Sequence, residues 1–136
     1  MNLLFAFLLS LSQTEQLPDK WECSGDSEPP AIEQLAKVKP RELKERVVNC
    51  AIPRLPGDLD AQGSVIVQVV VDEEGNVRCA RIIYGHPLLR RAALDAAKKW
   101  KFKPLVVEGK AKPYVGLLSL FVSWDREESG KQCPKE

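Results

Sequence analysis

The sequence predicts an α+β domain: a three-stranded antiparallel sheet in the order 2-1-3, one helix packed on it, and a short N-terminal helix. Three stretches carry that prediction. Ser64 to Val71 sets Val65, Val67, Val69 and Val71 in strict alternation, the period of a strand with one buried face. Leu89 to Trp100, wound at helical pitch, gathers Leu89, Ala92, Ala93, Ala96, Ala97 and Trp100 into one stripe. Tyr114 to Trp124 is a long run that is apolar on both alternating sets.

Length and composition bound the answer. At 136 residues, with 44% apolar and 29% charged side chains, the chain holds one small domain plus appendages. A formal net charge of +1 argues neither for nor against a nucleic-acid or membrane partner. Residues 1–12 contain no charged side chain, and Leu3 to Leu11 is almost wholly apolar. That is shorter than the roughly 20 residues a bilayer span takes, and it reads as a cleaved signal peptide. Cys23, Cys50, Cys79 and Cys133 are an even, widely spaced set with no C-x-x-C. Two structural disulfides in an oxidising compartment are therefore expected, periplasmic or secreted. Cys50–Cys79 with Cys23–Cys133 is the favoured pairing of three, since it would pin both tails to the domain.

The elements follow in order. Residues 13–50 form an N-terminal segment with short helices: one over Ala31 to Val38, another opened by Pro40 and running from Arg41 to Asn49. Residues 51–124 form the domain proper, and 125–136 a charged tail. Cys50 to Gln62, with Pro53, Pro56 and Gly57, is a connector. Asp72 to Asn76 is a hairpin turn with Gly75 at a positive φ, and Val77 to Tyr84 is the second strand. Gly85-His86-Pro87 ends that strand and opens the helix. Leu105 to Lys112 is a loop around Gly109, and the third strand runs from about Pro113 to Trp124. A helix of about a dozen residues rises roughly 18 Å, the length of a strand, so it returns the chain to the edge where the second strand began. The third strand then runs parallel to the second and antiparallel to the first, and a right-handed crossover makes the first strand central.

Little catalytic hardware is present. His86 is the one histidine, placed in a turn, and reads as a capping residue. Ser64, Ser119 and Ser123 have no triad around them. Asp72, Glu73 and Glu74 lack the spacing of a calcium loop and read as a solvated turn. No enzyme, cofactor or metal is expected. Arg90, Arg91, Lys98, Lys99, Lys101 and Lys103 form a basic outer face, best read as a solvated helix surface, with a docking patch for an acidic partner as the sharper reading. Leu94, apolar among them, invites cover by the N-terminal segment or a partner. The third strand is the main functional candidate. As a free edge, Tyr114, Val115, Gly116, Leu117, Leu118, Ser119, Leu120, Phe121, Val122 and Ser123 would accept another strand. Alternatively it is a two-sided buried strand, covered by the N-terminal helix or by a second copy.

Gly63-x-Val65-x-Val67-x-Val69, Asp72-x-x-Gly75-Asn76-Val77, Gly85-His86-Pro87-x-Leu89, Ala92-Ala93-x-x-Ala96, Trp100-x-Phe102-x-Pro104 and Gly109 together resemble the C-terminal domain of the TonB energy-transducer family. The resemblance spans about Pro53 to Trp124. It implies a periplasmic domain that pairs an edge strand, here Tyr114 to Ser123, with an extended segment of an outer-membrane transporter during transport. It also places Leu55-Pro56 at the family's tyrosine–proline element. Family transducers carry an uncleaved membrane anchor and a long Pro-rich spacer, whereas Gln13 to Pro56 is too short for one. The expectation is a free-standing exported binding module, with self-association through the same edge as the alternative.

Overall fold

Valine alternation and cross-strand pairing build the centre of the molecule. The computed structural model describes residues 20–25, 28–29, 31–57 and 59–133; the expected signal peptide at 1–12 lies outside them. In chain order the first elements are β1 (Glu22–Cys23), β2 (Ala36–Lys37), α1 (Pro40–Glu45), β3 (Val47–Asn49), β4 (Gln62–Val71) and β5 (Val77–Tyr84). They are followed by α2 (Pro87–Lys99), β6 (Lys101–Phe102), β7 (Leu105–Val107), β8 (Lys110–Lys112), β9 (Tyr114–Ser123) and α3 (Arg126–Gly130).

The three long strands take the order β5-β4-β9, with β4 antiparallel to both neighbours. β4 and β9 pair without a break from Gln62↔Ser123 to Val71↔Tyr114. The expected three-stranded sheet is nevertheless five-stranded, β1-β5-β4-β9-β2. β1 adds antiparallel to β5 at Ala80 and Cys79, and β2 adds parallel to β9 at Tyr114 and Val115. Two residues cannot display a period, so neither strand is visible in the hydrophobic pattern.

α2 packs across β4 and β5 and buries Leu89, Ala92, Ala93, Ala96 and Ala97. Its small side chains let it lie close over Val65, Val67 and Val69, all inaccessible to solvent. Leu94, expected on the outer face, is only 6% exposed, because the helix reaches over β5 as well and buries a wider arc than the alanine stripe. His86 caps the helix: its Nδ1 accepts the N–H of Leu88 at 3.2 Å, and Pro87 fills the first position. At the other end Trp100 is buried, with its ring centroid 6.1 Å from that of Phe102, and its indole N–H donates to the Ala51 carbonyl at 2.9 Å.

The connections depart more from expectation. The helix predicted from Arg41 to Asn49 stops at Glu45, and the 31–38 helix shrinks to a 3-10 turn at Ile32–Gln34. The β-branched pair Val47-Val48 instead enters β3, antiparallel to β6 at Phe102. The predicted loop from Leu105 to Lys112 is a hairpin, β7 against β8. Glu108 and Gly109 in its turn have φ of 52° and 79°, as a two-residue hairpin turn requires. Asp72 is buried and builds its turn rather than being solvated, its Oδ1 accepting from the N–H groups of Glu74 and Asn76 at 2.9 Å each. Gly75, at φ 89°, is obligatory there. A Cβ would lie 2.0 Å from the Phe102 carbonyl oxygen, whose own N–H donates to Gly75 O at 2.9 Å.

The cysteines pair as Cys23–Cys79 and Cys50–Cys133, in place of the expected Cys50–Cys79 and Cys23–Cys133. The sheet explains it. β1 sets Cys23 directly opposite Cys79, while Cys50 follows β3 and meets the chain returning from α3.

Candidate functional site

β9 alternates its side chains and its backbone. Tyr114, Gly116, Leu118, Leu120 and Val122 point into the core under α1 and α2, whereas Leu117 and Ser119 are exposed on the opposite face. The main-chain groups of Val115, Leu117, Ser119, Phe121 and Ser123 face away from β4, toward the edge. What becomes of them decides how much edge a partner could use.

The edge expected to be free from Tyr114 to Ser123 is largely occupied. Tyr114 and Val115 pair with β2, and the Val38 N–H donates to Val115 O at 2.9 Å. Tyr114 is wholly buried. Its hydroxyl donates to the Lys103 carbonyl at 2.9 Å, burial pushes its pKa up to about 12, and the Arg46 guanidinium lies 5.7 Å from its ring centroid. α1 sits over Gly116, where an added Cβ would come within 3.0 Å of Leu43, itself inaccessible to solvent. At the far end, side chains of Gln132 and Ser129 bond the main chain of Phe121 and Ser123. Among the described residues only Leu117 and Ser119 have no hydrogen-bond partner on the outward side.

That opening lies in a groove of about 700 Å³. Pro40, Arg41 and Lys44 of α1 wall it on one side and Lys131, Gln132 and Cys133 on the other, with Leu117, Leu118, Ser119, Val47 and Trp100 between. Its charged lining is entirely basic. Lys131 pairs with Glu128 at 2.5 Å, whereas Arg41 and Lys44 form no ion pair among the described residues. Leu55 and Pro56 do not join it; with Trp124 and Arg126 they line a separate hollow of about 190 Å³.

The basic face of α2 divides differently. Arg91 and Lys98 bind the Glu22 carboxylate of β1 at 2.8 and 2.9 Å, and Arg90 Nε donates to the Gly85 carbonyl at 2.9 Å. These cations hold the fold together. Sequence reasoning singled out β9 as the candidate strand but missed Arg41, Lys44, Gln132 and Ser129, which belong to no motif.

A mixed five-stranded sheet with α1 and α2 over its core face, and a short opening on the edge of its last long strand, makes up an α+β domain with a candidate protein-binding edge. Residues 53–118 match the family model described as Gram-negative bacterial TonB protein C-terminal, which supports a TonB C-terminal domain over that stretch of the chain. No curated protein and no solved structure matches it. The two disulfides accord with an envelope setting, and none of the described helices is long and apolar enough to cross a membrane.

Proposed function

We propose that this chain is an exported, non-catalytic binding module that captures an extended, acidic segment of another protein by strand addition at Leu117–Ser119. The observation that carries this reading is the unpaired outward main chain of those residues at the floor of a groove. Main-chain pairing there supplies affinity, and the groove walls supply selectivity. The chemistry of the occupant follows from charge: Arg41 and Lys44 face the opening without acidic partners among the described residues. An outer-membrane transporter segment in the periplasm is the occupant the family suggests. Self-pairing through the same opening is less favoured, because a two-fold arrangement would bring like-charged walls together.

The test is titration with a heptapeptide of alternating Val and Glu, followed by NMR shifts of the Leu117 and Ser119 amides. Ser119→Pro removes an N–H that has no partner among the described residues, and a proline on an edge strand is tolerated when its nitrogen faces out. The variant should stay folded and lose binding by at least about tenfold, the worth of one or two hydrogen bonds. Binding as tight as wild type by a folded Ser119→Pro chain excludes this edge. A dimer seen by light scattering and broken by Ser119→Pro would favour self-pairing.

A further inference from the structure

Beyond Ser119 the edge of β9 is closed in an unusual way. The Phe121 N–H donates to Gln132 Oε1 at 2.7 Å, and Gln132 Nε2 donates back to the Phe121 carbonyl at 2.9 Å. Two residues on, the Ser123 N–H donates to Ser129 Oγ at 2.9 Å, and that hydroxyl donates to the Ser123 carbonyl at 3.1 Å. One neighbour both accepting from and donating to the same residue is the pattern that an antiparallel strand makes with a hydrogen-bonded pair. The chain from Ser129, near the end of α3, to Gln132 just after it thus supplies, from two side chains, the bonds that a paired backbone would supply.

We propose that Ser129–Cys133 is an intramolecular occupant of the receiving edge, one that a longer partner segment displaces. The proposal rests on the strand-addition reading and deepens it. With the occupant in place a partner meets only Leu117–Ser119; with it displaced, the ladder extends through Phe121 to Ser123. Two features make it a competitor rather than a fixed part of the sheet. Its hold on the edge is polar, from Gln132 and Ser129, with no large apolar side chain seated on β9. Its position is also tethered, since Cys133, at the groove wall, is joined to Cys50, the residue after β3. The tether keeps the segment at high effective concentration, so it closes again whenever the edge is vacated.

The experiment uses the full chain and two variants, Gln132→Ala and the pair Cys50→Ala with Cys133→Ala. Amide exchange reads the occupant without any ligand. In both variants Phe121 should exchange at least about tenfold faster, while Leu118 and Leu120, bonded to β4, keep their protection. Binding is then measured with the Val/Glu heptapeptide and a tetrapeptide of the same alternation. The heptapeptide should gain roughly tenfold in affinity for Gln132→Ala, the worth of one or two more backbone hydrogen bonds, and the tetrapeptide nothing. Unchanged exchange at Phe121 in both variants, or equal gains for the two peptides, overturns the proposal. Faster exchange at Phe121 with neither peptide binding to any form overturns the strand-addition reading on which it rests.

Discussion

The two edges of the sheet are closed by the same means to different degrees. On the β5 side, β1 lies against Cys79 and Ala80, is joined by Cys23–Cys79, and is clamped from above by Arg91 and Lys98 on Glu22. On the β9 side, β2 covers the first two residues, Ser129 of α3 and Gln132 after it bond Phe121 and Ser123 through their side chains, and Cys50–Cys133 holds that stretch from a distance. Each disulfide therefore fixes a piece of cover to one edge, but only the first links a covering strand directly to the strand it covers. Unpaired edges recruit other strands, and closing them is how a protein limits that pairing. A closure that is direct on one side and interrupted on the other leaves one place open, at Leu117–Ser119. Most of the cover comes from outside residues 53–118, which match the TonB C-terminal model.

The largest test of this contrast is Trp100→Ala. Trp100 lines the groove and donates to Ala51, next to the cysteine that anchors the β9 cover. Removing a buried large aromatic costs about 3–5 kcal/mol, read by chemical denaturation. Exchange should rise first in β3 and at Phe121, before Ser24 on the other edge. A loss below about 1 kcal/mol, or early loss at Ser24, would place Trp100 outside the support of the β9 side.

Next in size is the pair Cys23→Ala with Cys79→Ala. The bridge closes a sequence separation of 56, which on the chain-entropy model is worth about 4 kcal/mol, with about 2–5 typical of native disulfides. Thermal unfolding should show that loss with heptapeptide affinity unchanged, whereas removing Cys50–Cys133 changes affinity as well. If both deletions alter affinity alike, the two edges do not differ as described.

What the sequence disclosed follows from where the information lies. β4, β5, α2 and β9 were legible because a long element repeats its pattern: four valines at alternate positions, an alanine stripe, and two bounding prolines. β1, β2, β3 and β6 have two or three residues each, and their pairing is decided by distant partners. Val47 to Asn49 left the predicted helix because Phe102 offered a ladder, which the local sequence does not record. Cysteine spacing is equally silent on pairing, since Cys23 meets Cys79 only once β1 has joined β5. The candidate site was legible as a strand and illegible as an opening. Its limits are set by Val38, Gln132 and Ser129, three residues without chemistry that marks them in advance.

The smallest effect isolates the clamp on the β5 edge. Glu22 accepts from Arg91 at 2.8 and 3.0 Å and from Lys98 at 2.9 Å. Hydrogen bonds from Arg91, then from Lys98, hold its pKa at about 2, against an ordinary 4.5. A carboxylate with a depressed folded pKa contributes fully above its unfolded value, so this contribution is intact above about pH 4.5 and disappears as pH falls toward 2. The side chain is 38% exposed, so solvent screening limits the network to about 1 kcal/mol or less. Glu22→Gln should thus lose at most about 1 kcal/mol at neutral pH, and its stability should fall less steeply than wild type between pH 4.5 and 2. Exchange at the Ser24 amide, which bonds Arg78 O at 2.8 Å beside β1, should quicken, with Phe121 unaffected. Parallel acid profiles for the two proteins would mean that the disulfide alone holds β1. The β5 edge would then be secured directly by Cys23–Cys79 without the ionic clamp, and the contrast would rest on the two disulfides and the gap at Leu117–Ser119.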